Sequence, residues 1–141
     1  MNRIAFITGA TSGIGEACAR KFAKGGYDLI LTARRADKLA EIKQELESEK
    51  TKVEVLAFDV RDAKAAKEAI ESLKPEWQKI DVLINNAGLA LGLEKEYEGN
   101  PDDWNTMIDT NIKGLLTMTR LIVPGMVKRN EGHVINVGSV A

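Results

Sequence analysis

The chain has 141 residues, 44% of them apolar, 29% charged and only 5% aromatic, which is the composition of an ordinary folded domain rather than of a disordered or fibrous chain. Lys and Arg number 20 and Asp and Glu 21, a net charge of −1 with the one His neutral, so no basic field exists to hold a polyanion and nucleic acid is not an expected partner. The apolar runs are a few residues each against the roughly 20 needed to span a bilayer, and one cysteine, Cys18, with one histidine, His133, cannot build a disulfide or a Cys- or His-based metal site.

Met1-Asn2-Arg3 runs directly into Ile4-Ala5-Phe6-Ile7 without the apolar core and small-residue cleavage site of a signal peptide, so a cytoplasmic location is expected. Short, nearly continuous Ile/Val/Leu runs at Ile4–Thr8, Asp28–Thr32, Val53–Phe58, Val82–Asn85 and His133–Val137 read as strands buried on both faces of a parallel sheet. Segments with charges at helical spacing lie between them, from Ser12 to Lys24, Ala36 to Lys50, Asp62 to Lys74 and about Pro101 to Arg129. The order βαβαβαβαβ predicts right-handed crossovers and a sheet covered by helices on both faces.

End signals support these limits. Gly25-Gly26 follows the first helix, Asp62 is placed to cap the third, and Asn100-Pro101 sets a capping side chain before a proline at the first helical position. In the long fourth helix Trp104, Ile108, Ile112, Leu115 and Ile122 fall near one face, and Pro124 is expected to kink or end it. No repeat, low-complexity tract or linker divides the chain, so a single domain over residues 1–141 is expected.

Thr8-Gly9-Ala10-Thr11-Ser12-Gly13-Ile14-Gly15 stands where the first strand becomes the first helix. Three glycines at a helix start are costly unless the backbone needs them. Gly9 can make the tight turn, Gly13 can let an anion approach the main chain, and Gly15 can let the helix pack on the strand. The helix N-terminus then offers free N–H groups and a positive dipole end to a pyrophosphate. The spacing is Gly-x-x-x-Gly-x-Gly, a variant of the dinucleotide fingerprint. A merely tight connection is the alternative, and a P-loop is excluded because no Gly-Lys-Ser/Thr follows.

A dinucleotide site next asks for an acidic residue about 20 positions on, to hold a ribose. Thr32-Ala33-Arg34-Arg35 stands there instead. Two guanidinium groups suit a 2′-phosphate, so NADP(H) is preferred over NAD(H); a solvated basic pair at a helix entrance is the other reading. Asp37 lies past this turn and reads as a first-turn helix residue.

At the fourth strand stands Asp81-Val82-Leu83-Ile84-Asn85-Asn86-Ala87-Gly88, and at the fifth Asn136-Val137-Gly138-Ser139. With Thr8–Gly15 and Asn111, these motifs resemble the short-chain dehydrogenase/reductase family in order and spacing over the whole chain. Asn86-Ala87-Gly88-Leu89-Ala90-Leu91-Gly92, Asp103-Trp104, Met107-Ile108-Asp109-Thr110-Asn111 and Pro124-Gly125-Met126-Val127 look most like the NADP-dependent dehydrogenases of serine, allo-threonine and related 3-hydroxy acids. The resemblance implies a Rossmann-type, doubly wound α/β domain with a three-layer α/β/α architecture, truncated after the fifth strand.

It further implies that Gly9, Ala10, Thr11, Ser12, Gly13 and Ile14 cradle the cofactor phosphates and that Arg34 and Arg35 hold the 2′-phosphate. Asp59 and Val60 would border the adenine, and Asn86, Ala87 and Gly88 the adjacent ribose. Ser139 would hydrogen-bond the reacting oxygen of a small alcohol or carbonyl substrate, and Asn111 would support a water that relays protons. Taken singly, Asp59 reads equally as a helix-entry acid and Asn86 as a turn residue, a Ser such as Ser139 after Gly at a strand end is more often a loop or cap residue, and Asn111 has a polar helix residue as its other reading. Cys18 and His133 read as structural.

Family members carry a Tyr and, four residues on, a Lys as the acid–base pair shortly after that Ser. Here Tyr27 is followed at that interval by Leu31 and Tyr97 by Pro101, and the sequence stops at Ala141. The expectation is therefore an N-terminal part of a longer enzyme that is inactive alone, with the fifth strand an exposed edge; full-length protein would be a homodimer or homotetramer through the long fourth helix. A non-catalytic NADP-binding module is the alternative. A methyltransferase of similar architecture would want an acid where Arg34 stands, which argues against it.

Overall fold

A computed structural model describes residues 1–89, 91–92 and 94–139. Ala90 of the Asn86–Gly92 motif and the terminal Ala141 lie outside the described residues. Five parallel strands, β1 (Ile4–Thr8), β2 (Asp28–Ala33), β3 (Val53–Ala57), β4 (Val82–Asn85) and β5 (His133–Asn136), form one sheet in the order β3-β2-β1-β4-β5. The strand positions agree with the expected ones to within one residue at each end. In β1 and β4 every residue is buried, as continuous apolar runs require.

Alternate residues face opposite layers. Ile4, Phe6, Ile30 and Leu83 pack on one side with Ala66 of α3 (Ala63–Glu71) and Met118, Ile122 and Met126 of α5 (Leu115–Arg129). Ala5, Ile7, Leu29, Leu31 and Ile84 pack on the other with Ala19 of α1 (Gly13–Lys24) and Leu39 and Ile42 of α2 (Ala36–Leu46). The result is the three-layer, doubly wound arrangement, and each fully buried Ile, Leu or Phe contributes about 1.5–3 kcal/mol to it. Half-buried Cys18 packs against the α1/α2 layer.

Helix ends follow local chemistry. Asp62 caps α3 by accepting from the Ala65 N–H, and Asn100 caps α4 (Pro101–Ile108) by accepting from the Asp102 N–H. Gly26 takes the left-handed conformation after α1 at φ +88°. α2 stops at Leu46, four residues before the expected Lys50. There the Ser48 hydroxyl accepts from the N–H groups of Lys50 and Thr51, and the Glu47 carboxylate accepts from the Val53 N–H, so side chains turn the backbone out of the helix.

The region expected as one long helix is three pieces, α4, a π-helical stretch at Asp109–Gly114, and α5. Pro124 does not end it: α5 continues to Arg129 and is stopped by left-handed Asn130 at φ 55°. The expected apolar face also divides. Trp104, Ile108 and Ile112 are exposed together with Leu116, whereas Ile122 is buried. The buried series Thr110, Gly114, Met118, Ile122 and Met126 recurs every four residues. In a strict α-helix that interval drifts by about 40° per step, and the wider π turn absorbs part of the drift.

β3 and β5 are the two edges of the sheet. In β5 Val134 and Ile135 are half-buried and His133 and Asn136 exposed. No described helix is long and apolar enough to cross a membrane.

Candidate functional site

The sheet order places β1 between β2 and β4, so the connections leaving the C-terminal ends of these strands diverge and open a crevice. A cleft of about 310 Å³ lies there, lined from four successive strand ends: Gly9, Thr11 and Ser12 after β1; Thr32 to Arg35 and Lys38 at β2 and α2; Phe58 to Arg61 after β3; and Ala87 to Leu89 after β4. Thr110, from the π-helical stretch, completes the wall.

The glycine turn is fixed by a small set of contacts. The Thr8 hydroxyl donates to the Ile84 carbonyl at 3.4 Å and accepts from the Asn86 and Ala87 N–H groups, both at 2.9 Å, which ties the ends of β1 and β4 together. The Asn86 Nδ2 donates to the carbonyls of Thr8 and Gly9 at 3.3 and 3.1 Å. Gly9 has φ +61°, and a Cβ there would meet the Asn86 amide at 2.9 Å and the Ala87 backbone at 3.0 Å. Gly15 is closer still: a Cβ would collide with the Gly9 carbonyl and the Asn86 amide, so α1 can sit against the turn only without a side chain.

Gly13 is different. Its φ of +54° favours glycine, yet nothing lies within 4 Å of where a Cβ would stand, so the backbone faces open space. Ser12 precedes α1 in an extended conformation and makes no side-chain cap, which leaves the first-turn N–H groups of α1 to a ligand or solvent. A helix start of this kind is a ready anion site.

Among the described residues the cleft is lined by four cations and one carboxylate, Asp59, with Asp37 beside Arg35. Arg35 forms a bidentate pair with Asp37, Nε and Nη2 donating at 3.3 and 2.8 Å, and Asp37 lies in the first turn of α2 as expected. Arg61 pairs with Asp59 through Nε and Nη2, and its backbone N–H also donates to Asp59 Oδ1 at 2.9 Å. The Arg61 hydrogen bonds hold the Asp59 carboxyl below the ordinary carboxylate range, with a further contribution from the Arg34 charge. Among the described residues neither Arg34 nor Lys38 has a carboxylate within ion-pair distance. Among the described residues, two buried hydroxyls at this wall, Thr32 and Thr110, have no hydrogen-bond partner.

Of the expected site residues, Gly9, Thr11, Ser12, Arg34, Arg35, Asp59, Val60, Ala87 and Gly88 meet on this cleft. Ala10 is buried behind it, donating its N–H to the Thr32 carbonyl at 3.2 Å, and Ile14 is exposed on α1. Asn86 spends its amide on the glycine turn, so the wall here is Ala87 and Gly88. Asn111 lies in the π-helical stretch, where its side chain is engaged by the Leu89 backbone. Ser139 is exposed three residues past β5 and is not part of the cleft wall. Lys38 and Arg61 line the cleft without having been singled out; their signal was present, a Lys four residues past Arg34 and an Arg two residues past Asp59.

The chain matches the short chain dehydrogenase family over residues 3–141. It is 51% identical over 138 residues to the NADP-dependent 3-hydroxy acid dehydrogenase YdfG of Salmonella typhi, covering 98% of this chain and 54% of that protein. It is 45% identical over 142 residues to sulfoacetaldehyde reductase 2 of Chromohalobacter salexigens, covering 100% of this chain and 56% of that protein. The closed form of a serine dehydrogenase complexed with NADP+ superposes with a TM-score of 0.90 at 50% identity, over 97% of this chain and 54% of that one. The chain thus spans about half the length of the curated relatives it matches. Sheet order, glycine turn and the sequence match over residues 3–141 agree, and the chain belongs to the short-chain dehydrogenase family.

Proposed function

We propose that the cleft binds NADP(H) and that the protein is an oxidoreductase acting on the alcohol or carbonyl of a small substrate, a 3-hydroxy acid such as serine or allo-threonine. The observation that carries this reading is one continuous cleft shared by the glycine turn and the basic rim at Arg34, Arg35 and Lys38. The residues present fit the group: the space beside Gly13 admits a phosphate to the backbone, the uncapped start of α1 offers it N–H donors, and cations at the end of β2 suit a 2′-phosphate.

Bound NADP(H) supplies or accepts the hydride. The chain's own part is to hold and orient. Within the Gly9–Ile14 turn the first-turn N–H groups of α1 serve the pyrophosphate while the Ala10 N–H stays on the Thr32 carbonyl, the basic rim of Arg34, Arg35 and Lys38 offers charge to the 2′-phosphate, and Asp59 and Val60 border the adenine. Ala87 and Gly88 border the adjacent ribose, in front of Asn86, which fixes their position. Ser139 donates a hydrogen bond to a substrate carbonyl or accepts one from an alcohol, which a hydroxyl can do in either direction. Asn111 keeps one donor and one acceptor position beyond its two bonds to Leu89, and these can hold a relayed water. The names of relatives support the substrate class, although the sulfoacetaldehyde reductase shows that similar chains act on another small carbonyl compound.

A second reading is an NADP-binding module without turnover. Tyr27 packs edge-on against Phe22 and Tyr97 is exposed beside Lys95, and neither lines the cleft. We also propose a homodimer or homotetramer, supported by the exposed Trp104, Ile108, Ile112 and Leu116 on successive turns. The deciding experiment is oxidation of serine, allo-threonine and 3-hydroxyisobutyrate by the full-length protein with NADP+ and with NAD+, followed by absorbance of the reduced nicotinamide. Turnover selective for NADP+ is expected. Binding of NADPH without turnover of any of the three selects the module, and equal rates with both cofactors contradict the basic-rim reading.

A further inference from the structure

The four cations on the rim of the cleft are not equivalent. Arg61 is committed to Asp59 by three side-chain hydrogen bonds, and its backbone N–H donates to the same carboxylate. Arg35 is turned along the start of α2 onto Asp37, with Nη2 at 2.8 Å and Nε at 3.3 Å from the two carboxylate oxygens. That pairing also holds the Asp37 carboxyl below the ordinary carboxylate range. Arg34 and Lys38 line the same cleft, and among the described residues neither is engaged by a carboxylate. An anion entering between them meets two cations that, among the described residues, no carboxylate holds in a direct ion pair; Arg34 acts on Asp59 only through its charge.

Resting on the NADP(H) reading of this cleft, we infer that Arg34 and Lys38, rather than Arg34 and Arg35, are the principal ligands of the 2′-phosphate, with Arg35 held back by Asp37. The two cations differ usefully. Arg34 presents a planar fork for bidentate bonding to phosphate oxygens, and Lys38 adds a compact charge on a flexible stem reaching from the first turn of α2. For Arg35 to turn its Nε/Nη2 edge to the phosphate it must leave Asp37; while that exposed pair is kept, only the Nη1 edge is open and the Asp37 charge offsets its own. The sequence separates these residues by only a few positions, and charge counting alone cannot rank them; the side-chain pairing does.

The test is calorimetric binding of adenosine 2′,5′-bisphosphate and adenosine 5′-monophosphate, compounds that differ only in the 2′-phosphate. The readout is the ratio of the two affinities. In the unaltered protein the bisphosphate binds more tightly. Lys38→Gln is expected to lower the ratio roughly tenfold, as loss of one charge-assisted contact predicts; Lys38→Arg keeps most of it, and Arg35→Gln changes it less than about threefold. Asp37→Asn releases Arg35 and raises the ratio. Lys38 is exposed, so its replacement leaves the core intact. A ratio that survives Lys38→Gln but collapses in Arg35→Gln overturns this inference alone. A ratio of one in the unaltered protein overturns it together with the NADP(H) reading.

Discussion

Asn111 grips the backbone of Leu89 from both sides: Oδ1 accepts from the Leu89 N–H at 2.9 Å and Nδ2 donates to the Leu89 carbonyl at 2.8 Å. This side chain, offered from a π turn, imitates a strand partner for the segment that leaves β4 and walls the cleft. Asn111→Ala is expected to cost about 1–2 kcal/mol, two ordinary hydrogen bonds with partial recovery by water. Hydrogen exchange at the Leu89 amide should accelerate about tenfold. Unchanged exchange there would show that the contact does not order the segment.

Gly15 and Gly13 stand two residues apart and should respond differently to one added methyl, the first chiefly in stability and the second chiefly in ligand binding. Gly15→Ala drives a Cβ into the Gly9 carbonyl and the Asn86 amide, so a loss of roughly 2–3 kcal/mol in thermal or denaturant unfolding is expected. Gly13→Ala meets no atom and costs only the left-handed backbone, about 1 kcal/mol. It should instead weaken NADPH binding, because the methyl occupies the space an approaching phosphate needs. Equal destabilisation by the two changes would contradict this division.

Asp59 carries a pH dependence of known sign. Its carboxyl titrates below its unfolded value because Arg61 donates to it, so its contribution to stability is complete above the ordinary carboxylate range and is lost as the pH falls through the depressed value. Arg61→Gln removes the largest cause. The Asp59 resonance should then titrate at higher pH, and acid unfolding should begin earlier. An unchanged titration curve would assign the depression to the backbone N–H of residue 61 instead.

The exposed strip on the α4–α5 path gives a test of assembly. Ile112→Glu puts a charge where Trp104, Ile108 and Leu116 leave apolar surface. Sedimentation should show a multimer in the unaltered protein and a lower mass in the variant. A protein that is monomeric before substitution contradicts the proposed oligomer.

Much of this fold was legible because its strands advertise themselves. Runs such as Ile4–Thr8 and Val82–Asn85 are apolar without alternation, which only burial on both faces explains, and Asp62 and Asn100 mark helix starts by chemistry that is local. What escaped depended on which side chains turn back onto the backbone. The early stop of α2 hangs on Ser48 and Glu47 reaching Thr51 and Val53, and α5 runs through Pro124 although the proline lacks an N–H to donate. The site shows the same division. The glycine pattern announced the turn, but that Asn86 braces it from behind and that Arg35 is paired while Lys38 is not are matters of side-chain partners, which spacing does not encode.

The central claim is that the dinucleotide lies across the strand ends, with its pyrophosphate over the glycine turn and its 2′-phosphate at the end of β2. Backbone NMR shifts or hydrogen exchange recorded with and without NADPH tests it most directly. Perturbations concentrated at residues 9–15, 32–38, 58–61 and 86–89, with weaker changes at 34–38 when NADH replaces NADPH, are the predicted result. Perturbations confined to the opposite end of the sheet, around Asn2, Asp28 and Lys52, or an identical footprint from both cofactors, would contradict it.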